Sequence, residues 1–138
     1  MIEITKYLQT VYEDLQRYVD NDVCLCKFKE LNFEAGALPD YEDINIQQLY
    51  LLRYAFAYAF EYSRMYLDVL SQMDGVNGIS VTSVGCGSMI DYWALVHALE
   101  MKNKLDCGIR YVGIDKIDWN YKIPERQSDE VYYLIGNA

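Results

Sequence analysis

Apolar residues near the start of the chain recur at the spacing of an α-helix. This spacing predicts a helix over residues 2–20, with one face formed by Ile4, Leu8, Val11, Leu15 and Tyr18. Residues 23–42 show no clean period and contain the pair Pro39-Asp40, which indicates a loop.

A longer helical pattern runs from Asn45 to about Met73. Asn45, followed three residues later by Gln48, resembles a capping box at its start. Nearly the whole circumference is apolar, because a tyrosine recurs at every fourth position among phenylalanines and alanines: Tyr50, Tyr54, Tyr58, Tyr62, Tyr66, Phe56 and Phe60. We therefore expect this helix to be central to the core, with its tyrosine stripe buried there or at a helix–helix interface.

The pattern changes to strands and one further helix in the second half of the chain. Ile79–Val84, Ile109–Ile114 and Val131–Ile135 read as short strands, and residues 89–104 read as a helix between the first two. A strand–helix–strand order with a short crossover predicts parallel pairing. We predict an α/β fold with a partial doubly wound, Rossmann-like parallel sheet of about three strands, in the order 3-2-1.

Two regions follow from this reading. Residues 1–78 form a helical N-terminal segment, and residues 79–138 form a Rossmann-like half-domain. A doubly wound sheet normally continues beyond three strands, so we expect the chain to be a fragment or half of a split protein. The first strand would then have an exposed edge, which predicts that the chain self-associates as a homo-oligomer or shields the edge with its helices.

Composition excludes several kinds of partner. The chain has 12 basic and 21 acidic residues among 138, and its net charge of −9 would repel a nucleic-acid backbone. Charged residues interrupt the long apolar helix, so we expect no membrane partner. The four cysteines have neither the arrangement of a disulfide framework nor zinc-ligand spacing, and no secretory signal pattern is present, so we expect no metal and a cytoplasmic location.

A glycine turn between the first strand and the next helix is the strongest candidate for chemistry. Gly85 and Gly87, on either side of Cys86, allow positive φ and close approach of the backbone to a ligand, and the helix start offers free N–H groups. The second strand ends at Asp115, whose carboxylate can accept from both hydroxyls of a ribose. Asn137 stands in the same place after the third strand and can face an adenine edge.

Each of these residues also has a plainer explanation. The glycines can serve only a tight turn, and Ser88 with Asp91 forms a Ser-x-x-Asp capping box that would start the helix without a ligand. A capped helix start is compatible with a surface that lies under a cofactor, so Ser88 and Asp91 also stay candidate cofactor-binding residues. Asp115 can be a solvated loop acid, and Asn137 a residue of a frayed tail.

The stretch Val81–Asp91, with Tyr111–Asp115, resembles the class I S-adenosylmethionine-dependent methyltransferases. The resemblance covers residues 79–138 and implies a methyltransferase with S-adenosylmethionine as its cofactor and an unknown methyl acceptor. It implies that the Gly-x-Gly loop lies under the methionine and ribose of the cofactor. The residues it places in the site are Gly85, Cys86 and Gly87 below the cofactor, Asp115 on the ribose and Asn137 at the adenine.

Two positions depart from the pattern of this family. Ser83 stands where an acid is usual, and Met89 stands where a third glycine is usual. We expect the side chain of Met89 to crowd the surface on which the cofactor would lie. Without the acid at position 83, either cofactor binding is weakened or Asp91 supplies an acid from the helix start. The family's catalytic residues usually follow a fourth strand, so none is assigned.

Two other functions stay open. A dinucleotide-binding oxidoreductase would have a further glycine where Ile90 stands. A non-catalytic protein-interaction module built on the tyrosine-rich helix would need no cofactor. His97, Trp93 and Trp119 are interpreted as packing residues rather than as catalytic or stacking groups.

Overall fold

The computed structural model describes residues 3–19, 39–73 and 75–136. Within these ranges the chain forms three helices and three strands, close to those the sequence predicts. In chain order they are α1 (Ile4–Val19), α2 (Ile44–Ser71), β1 (Gly78–Val84), α3 (Ile90–Met101), β2 (Gly108–Asp115) and β3 (Glu130–Ile135).

The three strands form one parallel sheet in the order β1-β2-β3. The register aligns Gly78 with Gly108 at one end and Val84 with Ile114 at the other. The α/β class, the parallel pairing and the predicted strand order are therefore confirmed. Because the strands are parallel, their carboxyl ends meet at a single edge of the sheet, where Asp115 closes β2.

The most deeply buried helix is α3, not α2 as predicted. Nine of its twelve residues are buried, Ile90 to Val96 together with Ala98 and Leu99. It packs against α2, and the ring of Tyr92 contacts that of Tyr111 on β2 at a centroid distance of 5.4 Å. A largely apolar helix needs cover on most sides, and the short α3 receives it between α2 and the sheet.

By contrast, α2 is covered on one side only. Leu51, Ala55 and Ala59 are buried, whereas Phe56 and Phe60 are 56% and 71% exposed. Both α1 and α3 pack against α2, and its outer face meets solvent although that face is apolar. None of the helices within the described ranges is both long and apolar enough to cross a membrane.

The start of α2 also differs from the prediction. Its N-cap is Asp43, whose side chain accepts a hydrogen bond from the Asn45 amide at 2.8 Å. Gln48 is fully buried and donates to the Tyr121 hydroxyl at 2.6 Å instead of closing a capping box. The predicted box at Asn45 is therefore wrong, because a carboxylate two residues earlier takes the capping role.

Helix α1 lies where its periodicity predicts. Ile4, Leu8, Val11 and Leu15 are buried, and the side chain of Tyr18 lies outside the described residues. The helix packs against α2. The hydroxyl of Tyr7 donates to the Tyr121 carbonyl oxygen at 2.8 Å, which links α1 to the loop between β2 and β3.

One face of the sheet has no cover in the described part of the chain. Val84, Tyr132 and Leu134 are 66%, 48% and 50% exposed. The register places Val84, Ile114 and Leu134 side by side across the three strands on this open face. This open face is a feature that the sequence did not predict, and it is separate from the predicted exposed edge of β1.

Candidate functional site

A cleft of about 490 Å³ lies between α2 and the carboxyl end of β1. In parallel α/β sheets, ligands bind at this end of the strands. Asn137 lies outside the described residues, but all the other predicted site residues border the cleft: Gly85, Cys86, Gly87, Ser88, Asp91 and Asp115.

The glycine turn is fixed to the end of β2 by backbone hydrogen bonds. The amides of Gly85 and Cys86 donate to the Ile114 carbonyl oxygen at 2.7 and 3.3 Å. Gly85 and Gly87 have φ angles of +71° and +53°, in the left-handed region that favours glycine. The two glycines thus allow the chain to leave β1 sharply and to expose backbone along the cleft.

Cys86 serves packing between the turn and β2. Its Sγ lies only 2.8 Å from where a Cβ on Gly113 would stand, so the thiol occupies the space that this glycine leaves. Burial, followed by the charges of Asp115 and Asp91, raises the pKa of the Cys86 thiol to about 12. The thiol is therefore protonated at neutral pH and is not a thiolate nucleophile.

Asp115 binds the glycine turn directly. Its Oδ2 accepts from the Gly87 amide at 2.7 Å, and its Oδ1 accepts from the Ile117 amide at 2.9 Å. The side chain is half-buried and borders the cleft. Two carboxylate oxygens offer about four acceptor positions, so Asp115 can hold the turn and still accept from two ligand hydroxyls.

The predicted capping box at Ser88 and Asp91 is wrong. The N-cap of α3 is Met89, and no side-chain cap bond is made there. Asp91 is buried and accepts from the Tyr111 hydroxyl, at 2.8 Å to Oδ1 and 3.1 Å to Oδ2. Its carboxylate also accepts from the backbone of Asp91 and Tyr92, but Ser88 is not the N-cap, so the reciprocal bonds of a capping box are not made.

Met89 does not crowd the cleft, so the expectation that its side chain would crowd the surface beneath the cofactor is wrong. Its side chain is 3% exposed, belongs to the core and is not among the residues that border the cleft. Its φ of +67° is nevertheless the conformation that glycine favours. The backbone at this position therefore has a glycine-like shape while the methionine side chain packs inward.

Asp91 supplies a carboxyl group beside Ser83. Burial raises the pKa of Asp91, and hydrogen bonds from the Ser83 and Tyr111 hydroxyls oppose that rise. Burial also raises the pKa of the Tyr62 and Tyr66 phenols, and the nearby Asp91 carboxylate raises both further. One part of the cleft border therefore combines a carboxyl group with several hydroxyls.

Four tyrosines of α2, together with Tyr41 just before the helix, form the opposite wall, although the sequence assigned the α2 stripe to the core or to an interface. We call five half-buried residues that border the cleft the tyrosine wall: Tyr41, Tyr50, Tyr58, Tyr62 and Tyr66. Along it, the ring centroids of Tyr58 and Tyr62 are 6.0 Å apart and those of Tyr50 and Tyr58 are 6.1 Å apart. The four-residue spacing was the visible signal, but it does not say what the stripe faces.

Trp119 connects the tyrosine wall to the glycine turn. Its ring centroid lies 5.5 Å from that of Tyr50 and 5.9 Å from that of Tyr41. Two of its ring carbons lie 3.6 Å from where a Cβ on Gly87 would stand. Trp119 was interpreted as a packing residue, and it is one, but it also borders the cleft.

The charges around the cleft all have one sign. Asp91 and Asp115 are acidic, and the described residues that border the cleft include no lysine, arginine or histidine. His97 lies on α3 outside this border and stacks on Trp93 at 4.9 Å. Two carboxylates without a facing cation favour a neutral or positively charged ligand and disfavour phosphate.

No family model, curated protein or solved structure matches the chain. Among the residues that the structure describes, no group of three or more histidines, cysteines or acids is arranged to hold a metal ion. Cys24 and Cys26 lie outside those residues, and Cys86 and Cys107 are free and buried. What the site binds is therefore inferred from its geometry alone.

Proposed function

We propose that this cleft binds S-adenosylmethionine and that the chain is the cofactor-binding part of a methyltransferase. The observation that carries the proposal is the hydrogen bond from the Gly87 amide to Asp115. It joins residues twenty-eight positions apart, so that the glycine turn and the acid ending β2 border one cleft at the carboxyl ends of parallel strands. The methyl acceptor stays unknown, and no catalytic residue is assigned.

The groups around the cleft fit the parts of this cofactor. Asp115 accepts from the ribose hydroxyls, and the exposed backbone of the glycine turn lies beneath the ribose and methionine. Asp91 and the Ser83 hydroxyl receive the ammonium group, in place of the acid that the family usually has at position 83. The cofactor supplies an electrophilic methyl group, and the chain holds it in a fixed orientation away from bulk water.

A dinucleotide cofactor has less support. Its fingerprint needs a glycine where Ile90 stands, and Ile90 is 6% exposed and borders the cleft with its side chain in place. A pyrophosphate would also meet the carboxylates of Asp91 and Asp115 without a described cation in the cleft border. An interaction module built on the tyrosine stripe has less support too, because those rings border the cleft.

Gly85→Ala tests where the ligand lies, with Gly75→Ala as its matched control. Both glycines have nearly equal φ angles, +71° and +70°, and an added Cβ meets nothing within 4 Å at either position. Each substitution is expected to destabilise the fold by about 1–2 kcal/mol through left-handed backbone strain. Only Gly85 borders the cleft, so only Gly85→Ala is expected to weaken S-adenosylmethionine binding, by about tenfold or more in titration calorimetry.

The outcomes are separable. If the wild-type protein gives no heat with S-adenosylmethionine, the proposed function is wrong. If Gly85→Ala and Gly75→Ala bind the cofactor equally well, the cofactor does not lie on the glycine turn. Thermal unfolding of both variants without ligand measures the strain separately from the binding.

A further inference from the structure

We infer that the cleft selects its ligand by positive charge, so that it binds S-adenosylmethionine more tightly than the neutral thioether S-adenosylhomocysteine. The selecting groups are the tyrosine wall together with the carboxylates of Asp91 and Asp115. The inference rests on the proposed function, and it adds that the product formed by methyl loss is released easily. Such a site is only weakly inhibited by its own product.

The tyrosine wall supplies a continuous aromatic surface. The ring centroids of Tyr50 and Tyr58 are 6.1 Å apart, and Tyr58 and Tyr62 stack at 6.0 Å, so neighbouring rings of the wall contact one another. A cation within about 6 Å of such a ring is attracted by its quadrupole, and onium ligands are recognised in this way. The rings are half-buried, which reduces the competition from water.

The phenols of the wall act as neutral groups. Burial and the neighbouring Tyr58 raise the pKa of Tyr50, and burial and Asp91 raise the pKa of Tyr66 to about 12. At neutral pH these hydroxyls therefore keep their protons. The wall contributes ring surface and hydrogen-bonding groups, while the negative charge of the site comes from the two carboxylates.

The charge balance of the cleft favours a cation throughout. Asp91 and Asp115 approach it from α3 and β2, and none of the described residues along its border carries a positive charge. The whole chain has a net charge of −9, so the surrounding field has the same sign. A ligand that loses its positive sulfonium loses part of this attraction and keeps its other contacts.

The cofactor and its product make a matched pair of probes. Both carry the same adenosine, ammonium and carboxylate groups, so their affinity difference isolates the methylsulfonium centre. Sinefungin adds a third probe, because it carries a protonated amine in place of that centre. We expect titration calorimetry to give S-adenosylmethionine and sinefungin about tenfold tighter dissociation constants than S-adenosylhomocysteine, equivalent to about 1.4 kcal/mol.

Variants of Tyr58 assign the selectivity to the wall. Tyr58→Leu is expected to weaken binding of the two cationic ligands while S-adenosylhomocysteine binds as before, so the preference falls toward unity. Tyr58→Phe keeps the ring and is expected to keep the preference. Phe60→Leu removes a ring from the same helix at a position that is 71% exposed and outside the cleft border, and is expected to change neither affinity.

The results that overturn the inference differ from those that overturn the proposed function. If the wild type binds S-adenosylhomocysteine as tightly as S-adenosylmethionine, or more tightly, the charge selectivity is wrong but the proposed cofactor site is not. An equal loss of all three ligands in Tyr58→Leu, with the fold intact by circular dichroism, reduces the wall to a shape contact. If none of the three ligands binds the wild type, both proposals are wrong.

Discussion

At the scale of single residues, the site uses its carboxyl groups in two different ways. Asp115 is half-buried and accepts from the backbone amides of Gly87 and Ile117. Asp91 is buried, and its carboxylate accepts from the Ser83 and Tyr111 hydroxyls and from the backbone at the start of α3. Backbone amides hold Asp115 in place, whereas Asp91 lies in surroundings that disfavour its charge.

Asp91→Asn is expected to stabilise the folded protein at neutral pH. Because the pKa of Asp91 is raised in the folded state, the folded carboxyl binds its proton more tightly than the unfolded one, so the charged form opposes folding. Lowering the pH from 7 toward about 4 protonates the wild-type carboxyl and removes this penalty, so the advantage of the asparagine shrinks. Urea unfolding at both pH values measures the two differences.

The same variant is expected to bind S-adenosylmethionine more weakly, since it removes one of the two negative charges of the cleft. Asp118→Asn provides the control, because Asp118 is exposed and lies outside the cleft border.

An Asp91→Asn protein that is less stable than the wild type at pH 7 would contradict the assigned burial effect.

At the scale of the elements, the contacts between helices decide which of them is central. The apolar circumference of α2 predicted a buried helix, yet the chain buries most of α3 and leaves Phe56 and Phe60 of α2 exposed. Periodicity reports how much apolar surface a helix has, and not which neighbours cover it. The tyrosine stripe illustrates this, because it borders a cleft instead of a packed interface.

The contact between the glycine turn and β2 is expected to tolerate no side chain at position 113. In Gly113→Ala the new Cβ would lie 2.8 Å from Cys86 Sγ and 3.0 Å from a ring carbon of Tyr111. Overpacking of this kind costs about 1–3 kcal/mol of unfolding free energy. Gly108→Ala is the control in the same strand, because its Cβ meets nothing within 4 Å.

A double-mutant cycle isolates the sulfur contact. Cys86→Ala removes Sγ, so Gly113→Ala should destabilise the Cys86→Ala background less than it destabilises the wild type. The part that remains belongs to the contacts with Tyr111 at 3.0 Å and with the Cβ of residue 86 at 3.3 Å. Additive effects of the two substitutions, measured by urea unfolding, would show that the turn does not pack on β2 through this thiol.

At the scale of the whole molecule, the sheet has one covered face and one open face. Parallel sheets normally have both faces covered, because their strands are apolar on both sides. Here Tyr111 lies on the covered face, and Val84 and Leu134 lie on the open one. The homo-oligomer that the sequence predicted therefore has a candidate interface in the open face, in addition to the β1 edge.

We expect the chain to self-associate through this open face. Sedimentation of the wild type should show a mass that rises with concentration, and Leu134→Lys should shift the protein toward the monomer by placing a charge among the apolar residues. Gln127→Lys adds the same charge at an exposed loop position as a control. A wild type that is monomeric at every concentration would contradict the prediction.

The sequence by itself determined the elements and the strand order, and it predicted residues that border one cleft. The spacing of apolar residues and the β-branched runs reflect local backbone preference. They therefore predicted the six elements of the described residues to within a few positions. The glycine turn and the acid ending β2 could be read because a parallel sheet places consecutive strand ends at one edge. Six of the seven predicted site residues border one cleft, and Asn137 lies outside the described residues.

Only the tertiary structure decided how those residues are used. The side-chain directions of Asp91 and Met89 depend on the packing of α3 against β2, which no local pattern encodes, so the capping box and the crowded floor were both wrong. The tyrosine wall depends on which face of α2 meets the sheet end. The cleft brings together residues of α2, β1 and the end of β2, and only folding places these elements side by side.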